Sequence, residues 1–183
     1  MQRNIITLSL AAYPTLVAQL TRLILELERD KNNPLVALML FGSVARLMAG
    51  QSSDADLLAL RAHDASEEQA ASWLIRHIRA AEDARDDAPE AQDEAGWHMI
   101  PVIGDAQASD LDPDFLEGVK QDGVLLYQRS GAVLPASLAA LRTFAAWRIQ
   151  VSELIAALRL AEGSHLAPDD VSTDMSGHHT ATS

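Results

Sequence analysis

Residues 35–41, LVALMLF, are seven successive apolar side chains with no polar one among them. A strand with one face in water alternates apolar and polar residues. An unbroken run of strand length instead marks a strand buried on both faces. Gly42-Ser43 ends the run, and "VARLMAG" after it has room for a turn or two of helix before the loop "QSS". A second strand is expected at 54–62, DADLLALRA, polar where it begins and buried further along.

The remaining segments read around these two. Leu16, Leu20, Leu23, Ile24 and Leu27 recur at helical spacing within 12–30, and "KNNP" stops that helix. Ser66 followed three residues later by Gln69, with acids between, is close to a capping box and starts a helix carrying Trp73, Leu74 and Ile78 on its buried stripe. Residues 82–94 are acidic and read as a frayed helix end and solvated loop. GWHMIPVIG (96–104) is a third strand, with Pro101 marking an edge or a bulge. A short helix spans 111–123, with Asp112 as N-cap, Pro113 in its first turn and Gly123 at its end. "VLLYQRSG" follows as a last extended segment. After Pro135 the spacing of Leu138, Leu141, Phe144, Val151, Leu154, Ile155 and Leu158 predicts one continuous helix from residue 136. The whole is a small α+β domain on a mixed sheet, divided as 1–130 for the domain, 131–162 for a C-terminal helix and 163–183 for a disordered tail.

Composition narrows the chemistry. No cysteine is present, which removes disulfides, thiolate metal sites and cysteine nucleophiles and fits a cytoplasmic protein. Aromatics are 4% of the chain, so the core should be aliphatic. The net charge of −12, with basic residues scattered, argues against extended DNA or RNA as a partner. No window is long and apolar enough for a membrane span, and no cleavage site follows the Arg3-led N-terminus. A small nucleotide that arrives with a divalent cation remains compatible with the acidic surface.

Asp54 and Asp56 stand one residue apart on a strand, so both carboxylates point to the same side. Two like charges so placed repel unless a cation lies between them. Hard oxygen ligands of this kind suit Mg²⁺, which takes one or two protein carboxylates and completes its shell with water and phosphate oxygens. Gly42-Ser43 complements them. Glycine lets a phosphate approach the backbone, the N–H groups of a helix start face the anion, and the Ser43 hydroxyl adds a donor.

Gly42-Ser43, ten intervening residues, then Asp54-x-Asp56, with Ala45-Arg46 and Ser53 in place, resembles the DNA polymerase β-like nucleotidyltransferase superfamily, in particular its minimal nucleotidyltransferase (MNT) branch. The close match covers 35–60, and a looser one runs through MIPVIGDAQASDLDPDFLEGVKQDGVLLY. The resemblance implies an enzyme that transfers NMP, AMP above all, from an NTP such as ATP. Two Mg²⁺ ions (or Mn²⁺) would be held by Asp54 and Asp56, and the triphosphate by Gly42 and Ser43. It implies as acceptor a HEPN-type partner protein, the chain serving as its antitoxin. A small-molecule acceptor such as an aminoglycoside is the further alternative, and a catalytically degenerate nucleotide- or partner-binding module the principal one. The C-terminal helix is then a candidate surface for oligomerisation or docking.

Two departures are visible. Members commonly have glycine after the arginine, where this chain has Leu47, which should alter the turn without removing the site. Active members usually carry a third carboxylate on the next strand, and HMIPVI holds none. His98 is the only ionisable residue there, with Asp93, Glu94 and Asp105 outside it. His98 reads as a strand residue in polar surroundings, and His63, His77 and His178-His179 are given no role.

Overall fold

The computed structural model describes residues 13–49, 53–83 and 97–164. A five-stranded mixed sheet in the order β3-β2-β1-β4-β5 organises the chain, the α+β architecture expected. Helix α1 (Tyr13–Arg29) leads into β1 (Leu35–Phe41), the one-turn helix α2 (Gly42–Ala45), β2 (Ala55–Arg61) and α3 (Glu67–Asp83). Then come β3 (Met99–Gly104), α4 (Pro113–Asp122), β4 (Val124–Gln128), a 3₁₀ turn (Ala136–Leu138), β5 (Arg142–Thr143) and α5 (Phe144–Ser164). β1 lies at the centre, antiparallel to β2 and β4, while β3 is parallel to β2 and β5 parallel to β4.

Both faces of the sheet are covered, as the apolar run of β1 requires. Leu38, Leu40, Leu57 and Ala59 pack on one face with the stripes of α1 and α3 and with Trp147 and Val151 of α5. Ala37, Met39, Leu58 and Leu60 pack on the other with Val119 of α4 and with Leu138. The Leu35/Ala37 irregularity in pairing with β2 is where the alternation of faces resets. Pro101 is accommodated because β3 is an edge strand, paired only with β2.

Local signals account for several element ends. Asn33 closes α1 and opens β1 at once, its amide donating to the Leu27 carbonyl (2.9 Å) and its oxygen accepting from Leu35 N–H (2.8 Å). The Ser66 hydroxyl accepts from Gln69 N–H at 3.1 Å. Asp112 accepts from the N–H groups of Asp114 and Phe115, with Pro113 next to it.

The continuous helix expected from residue 136 is instead three elements. Leu138 and Leu141 belong to the core on the α4 face, whereas Phe144, Trp147 and Val151 belong to the opposite core. One helix cannot serve both sides of a sheet. The chain crosses the edge as β5, pairing Arg142 and Thr143 with Val124 and Leu125. Of the expected tail (163–183), residues 163 and 164 continue α5 instead, and 165–183, like most of the acidic stretch (84–96), lie outside the described residues.

Candidate functional site

The end of β1, the turn after it and the start of β2 meet at one rim of the sheet. Asp56 lies opposite Phe41 in the β1–β2 ladder, and Gly42 follows directly. Gly42 has a φ of +76°, a region open to glycine at little cost. A Cβ built on it would stand 2.5 Å from Asp56 Oδ2. The glycine is therefore required twice over, by its backbone and by the carboxylate pressed against it.

Asp54 sits just before β2 and Asp56 one residue into it, so both fall on the side of the sheet that bears Leu58 and Leu60. Both are half-buried. Burial first, and the neighbouring Asp54 charge second, raise the Asp56 pKa above the usual carboxylate value. A cation would relieve both penalties. The donor set fits Mg²⁺, with two oxygen-bearing side chains, both partly exposed, at one rim.

The turn after Gly42 keeps its shape through its own backbone and through donors from afar. Arg46 N–H reaches the Gly42 carbonyl (3.2 Å), and Met48 N–H reaches that of Ser43 (2.9 Å). Leu47, where glycine was expected from the resemblance, adopts a φ of +61°. Leucine there takes the left-handed backbone that a glycine would take without strain. α2 is a single turn, so its dipole is slight. Phosphate binding there would rest on N–H groups and the Ser43 hydroxyl, which caps nothing among the described residues. Arg46, the other charged residue of the motif, is paired with Asp122 at the end of α4 (2.9 Å).

The third carboxylate is missing from β3 in the structure as in the sequence. Among the described residues no three His, Asp or Glu side chains gather where they could hold a metal ion. The β2–β3 register sets Ile100 opposite Asp56, and Ile100 is 47% exposed. His98, also exposed, lies one step before the Ala55–Met99 pair and bonds through its carbonyl to Ala55 N–H (2.8 Å). Asp105 is five residues beyond Ile100, roughly 16 Å along a strand at about 3.3 Å per residue. Its carboxylate is occupied by Ser109 and Gln107, whose hydrogen bonds lower its pKa. Glu82 accepts from Met99 N–H (3.2 Å) and so ties α3 to β3. Asp93 and Glu94 are outside the described residues. His77 stacks on Trp73 and faces Asp30, well away on α3, in a packing contact between α3 and the end of α1.

Sequence reasoning did not anticipate the groups beneath the turn. The Val44 carbonyl accepts from the Tyr13 hydroxyl (3.4 Å), and the Ala45 carbonyl from Trp147 Nε1 (3.1 Å) and Arg142 Nη2 (3.0 Å). Three of the chain's few aromatics, Tyr13, Trp97 and Trp147, cluster there, with ring centroids 5.4 and 6.1 Å apart around Tyr13. Their scarcity was a signal, but it carried no address.

No family model matches the chain, and no curated protein does. The chain is similar to solved toxin–antitoxin structures. One, with AMP-PNP, aligns at 17% identity over 78% of this chain and 92% of that one, with a TM-score of 0.39. A variant of the MntA-HpeT complex aligns at 15% identity over 78% and 91%, with a TM-score of 0.38. An MNT antitoxin complex with tri-AMPylated HEPN toxin from Shewanella oneidensis aligns at 15% over 80% and 94%, with a TM-score of 0.37. Likeness at this level concerns outline and assigns no role to any residue. Among the described residues no helix is long and apolar enough to cross a membrane.

Proposed function

We propose that this chain is a nucleotidyltransferase that moves AMP from ATP to an acceptor hydroxyl, with a partner protein of the HEPN type as the acceptor. The observation that carries the reading is Asp56 seated against Gly42, with Asp54 beside it, at the end of the central strand. Holding two acids together, one of them partly desolvated, opposes folding unless a cation is bound there. Asp54 and Asp56 would hold Mg²⁺, which when bound supplies positive charge to the phosphates and to the attacking oxygen. Gly42 and Ser43 would bind the triphosphate through N–H groups and a hydroxyl. In the reaction the acceptor oxygen forms a bond to the α-phosphorus, the bond to the bridging oxygen breaks, pyrophosphate leaves, and the hydroxyl proton passes to solvent. The acidic surface favours a protein acceptor over a nucleic acid.

One observation favours a second reading, a module that binds nucleotide without transferring it: Ile100 stands opposite Asp56 where a third acid would complete the site. Incubation with α-labelled ATP, Mg²⁺ or Mn²⁺ and candidate acceptors separates the two. The first reading expects label on the acceptor and its loss by about 100-fold or more in Asp54→Ala and Asp56→Ala, the scale of removing a dominant electrostatic contributor. Nucleotide binding without any label transfer selects the second. Absence of both binding and transfer removes the nucleotide site altogether.

A further inference from the structure

We propose that Arg142 and Trp147 are positioning residues for the phosphate-binding turn, making the C-terminal helix a working part of the nucleotide site. The proposal rests on the nucleotide-binding reading above. Gly42–Ala45 forms one turn, too short to hold itself in water, because helix nucleation is unfavourable. The carbonyls of Gly42, Ser43 and Val44 accept from the N–H groups of Arg46, Met48 and Leu47. The donors to the Ala45 carbonyl are side chains, and Leu47 adds backbone strain two residues after the turn. A conformation of this kind persists only when its surroundings over-determine it. Those surroundings come from residues about a hundred positions later in the chain.

The Ala45 carbonyl accepts two donors at once, Trp147 Nε1–H (3.1 Å) and Arg142 Nη2–H (3.0 Å). Trp147 is fully buried, so its ring fixes the direction of that bond. The Arg142 guanidinium also donates to the Asp122 carbonyl (2.8 Å) and to Gln150 Oε1 (2.8 Å), locking the turn to the end of α4 and to α5. Asp122 in turn holds Arg46 of the motif by its carboxylate (2.9 Å). A planar fork with several fixed donors can join these three elements, whereas a lysine ammonium of similar reach cannot match that geometry. The path from α5 to Gly42 is therefore short. α5 and β5 hold the Ala45 carbonyl, that carbonyl closes the turn, and the turn presents Gly42 and Ser43 beside Asp56.

The test compares nucleotide affinity with folding. Binding of labelled ATP with Mg²⁺ is measured by equilibrium dialysis, alongside thermal melting, for the full chain and for Arg142→Gln, Arg142→Lys and Trp147→Phe. Arg129→Gln serves as control, because Arg129 also bonds a backbone carbonyl, that of Asn33, but at the opposite end of the sheet. Expected are a Kd raised about tenfold or more in Arg142→Gln, partial recovery in Arg142→Lys, and about threefold weakening in Trp147→Phe, which keeps the packing ring. Each is to be larger than in Arg129→Gln at a comparable fall in melting temperature. Where transfer is measurable, the loss falls on KM and leaves kcat within about threefold. Affinity that tracks the melting temperature alike in Arg142→Gln and Arg129→Gln overturns the positioning role and leaves the nucleotide site standing. A wild-type chain that binds no nucleotide overturns both.

Discussion

The Asp54–Asp56 pair has two flanks, and they are built differently. On the β1 side Gly42 touches the carboxylate of Asp56, and the turn behind it is held by Tyr13, Arg142 and Trp147. On the β3 side stand Ile100 and His98, both exposed, with no third acid gathered there among the described residues. One flank is over-determined and the other is bare. In a nucleotidyltransferase the first would meet the triphosphate, which is the same in every turnover, and the second would face the acceptor. A rigid nucleotide side suits tight, repeatable placement of phosphorus. An open acceptor side leaves completion of the site to whatever docks there.

The rigid flank should break most easily. Gly42→Ala forces a Cβ to 2.5 Å from Asp56 Oδ2 and places an L-residue at a φ of +76°. The backbone alone costs roughly 1–2 kcal/mol, and the carboxylate must move as well. Denaturant melts should show a loss of about 2 kcal/mol or more, and ATP binding should fall beyond detection. Gly118, within α4, gives the contrast. Nothing lies within 4 Å of a Cβ there, so Gly118→Ala should stabilise by about 0.5–1 kcal/mol and leave binding unchanged. Equal effects at the two glycines would deny Gly42 any special place.

The bare flank should instead be improvable. Ile100 is in register with Asp56, on an exposed edge strand, so Ile100→Asp would place a third carboxylate beside the pair without entering the core. Expected is a rise in Mg²⁺ affinity and in transfer rate of roughly tenfold, in keeping with the contribution of a well-placed acid–base group. Transfer that falls, or Mg²⁺ affinity that does not change, would mean that this flank is not where the acceptor chemistry occurs.

How much of this could be read from the sequence follows the same division. The buried central strand, the Gly42-Ser43 break and the Asp54/Asp56 face were legible because each rests on neighbours a few residues apart. Asp112 and Ser66 were legible as caps for the same reason. The split of the last helix was not. Leu138 and Leu141 continue the spacing of Phe144 and Trp147, and periodicity alone cannot tell that the two pairs face opposite sides of the sheet. Nor could the support of Ala45 by Arg142 and Trp147 be foreseen, since contacts across about a hundred residues leave no local pattern. The missing third carboxylate was visible as an absence, but only the β2–β3 register identifies Ile100 as the residue in its place.

A smaller effect tests the electrostatics of the pair itself. Burial and Asp54 raise the Asp56 pKa in the folded chain. The native state then holds this proton more tightly than the unfolded chain, whose aspartates titrate near about 3.9. Through the window from that value to the raised one, stability falls as pH increases, and above the folded pKa the penalty is fully present. Without metal, Asp56→Asn should therefore melt at a higher temperature than the parent at pH 7, and the gap should close as pH falls through that window. Mg²⁺ should raise the melting temperature of the parent and leave the variant unmoved. A variant less stable than the parent at pH 7 in the absence of metal would mean that the carboxylate already has a favourable partner.

The smallest effect concerns Leu47, on the rigid flank, and its diagnostic value lies in an order rather than a size. In most positions replacing leucine by glycine is worse than replacing it by alanine, because glycine also adds freedom to the unfolded chain. Leu47 is partly buried against the main core, so either change loses packing of about 1–2 kcal/mol. Only glycine, however, relieves the left-handed backbone at a φ of +61°, worth roughly 1–2 kcal/mol. Leu47→Gly should thus lie within about 1 kcal/mol of the parent, and Leu47→Ala should be the less stable of the two. Urea melts of the pair decide it. The usual order would show that Leu47 is not strained, and that the turn needs less holding than its ring of distant donors implies.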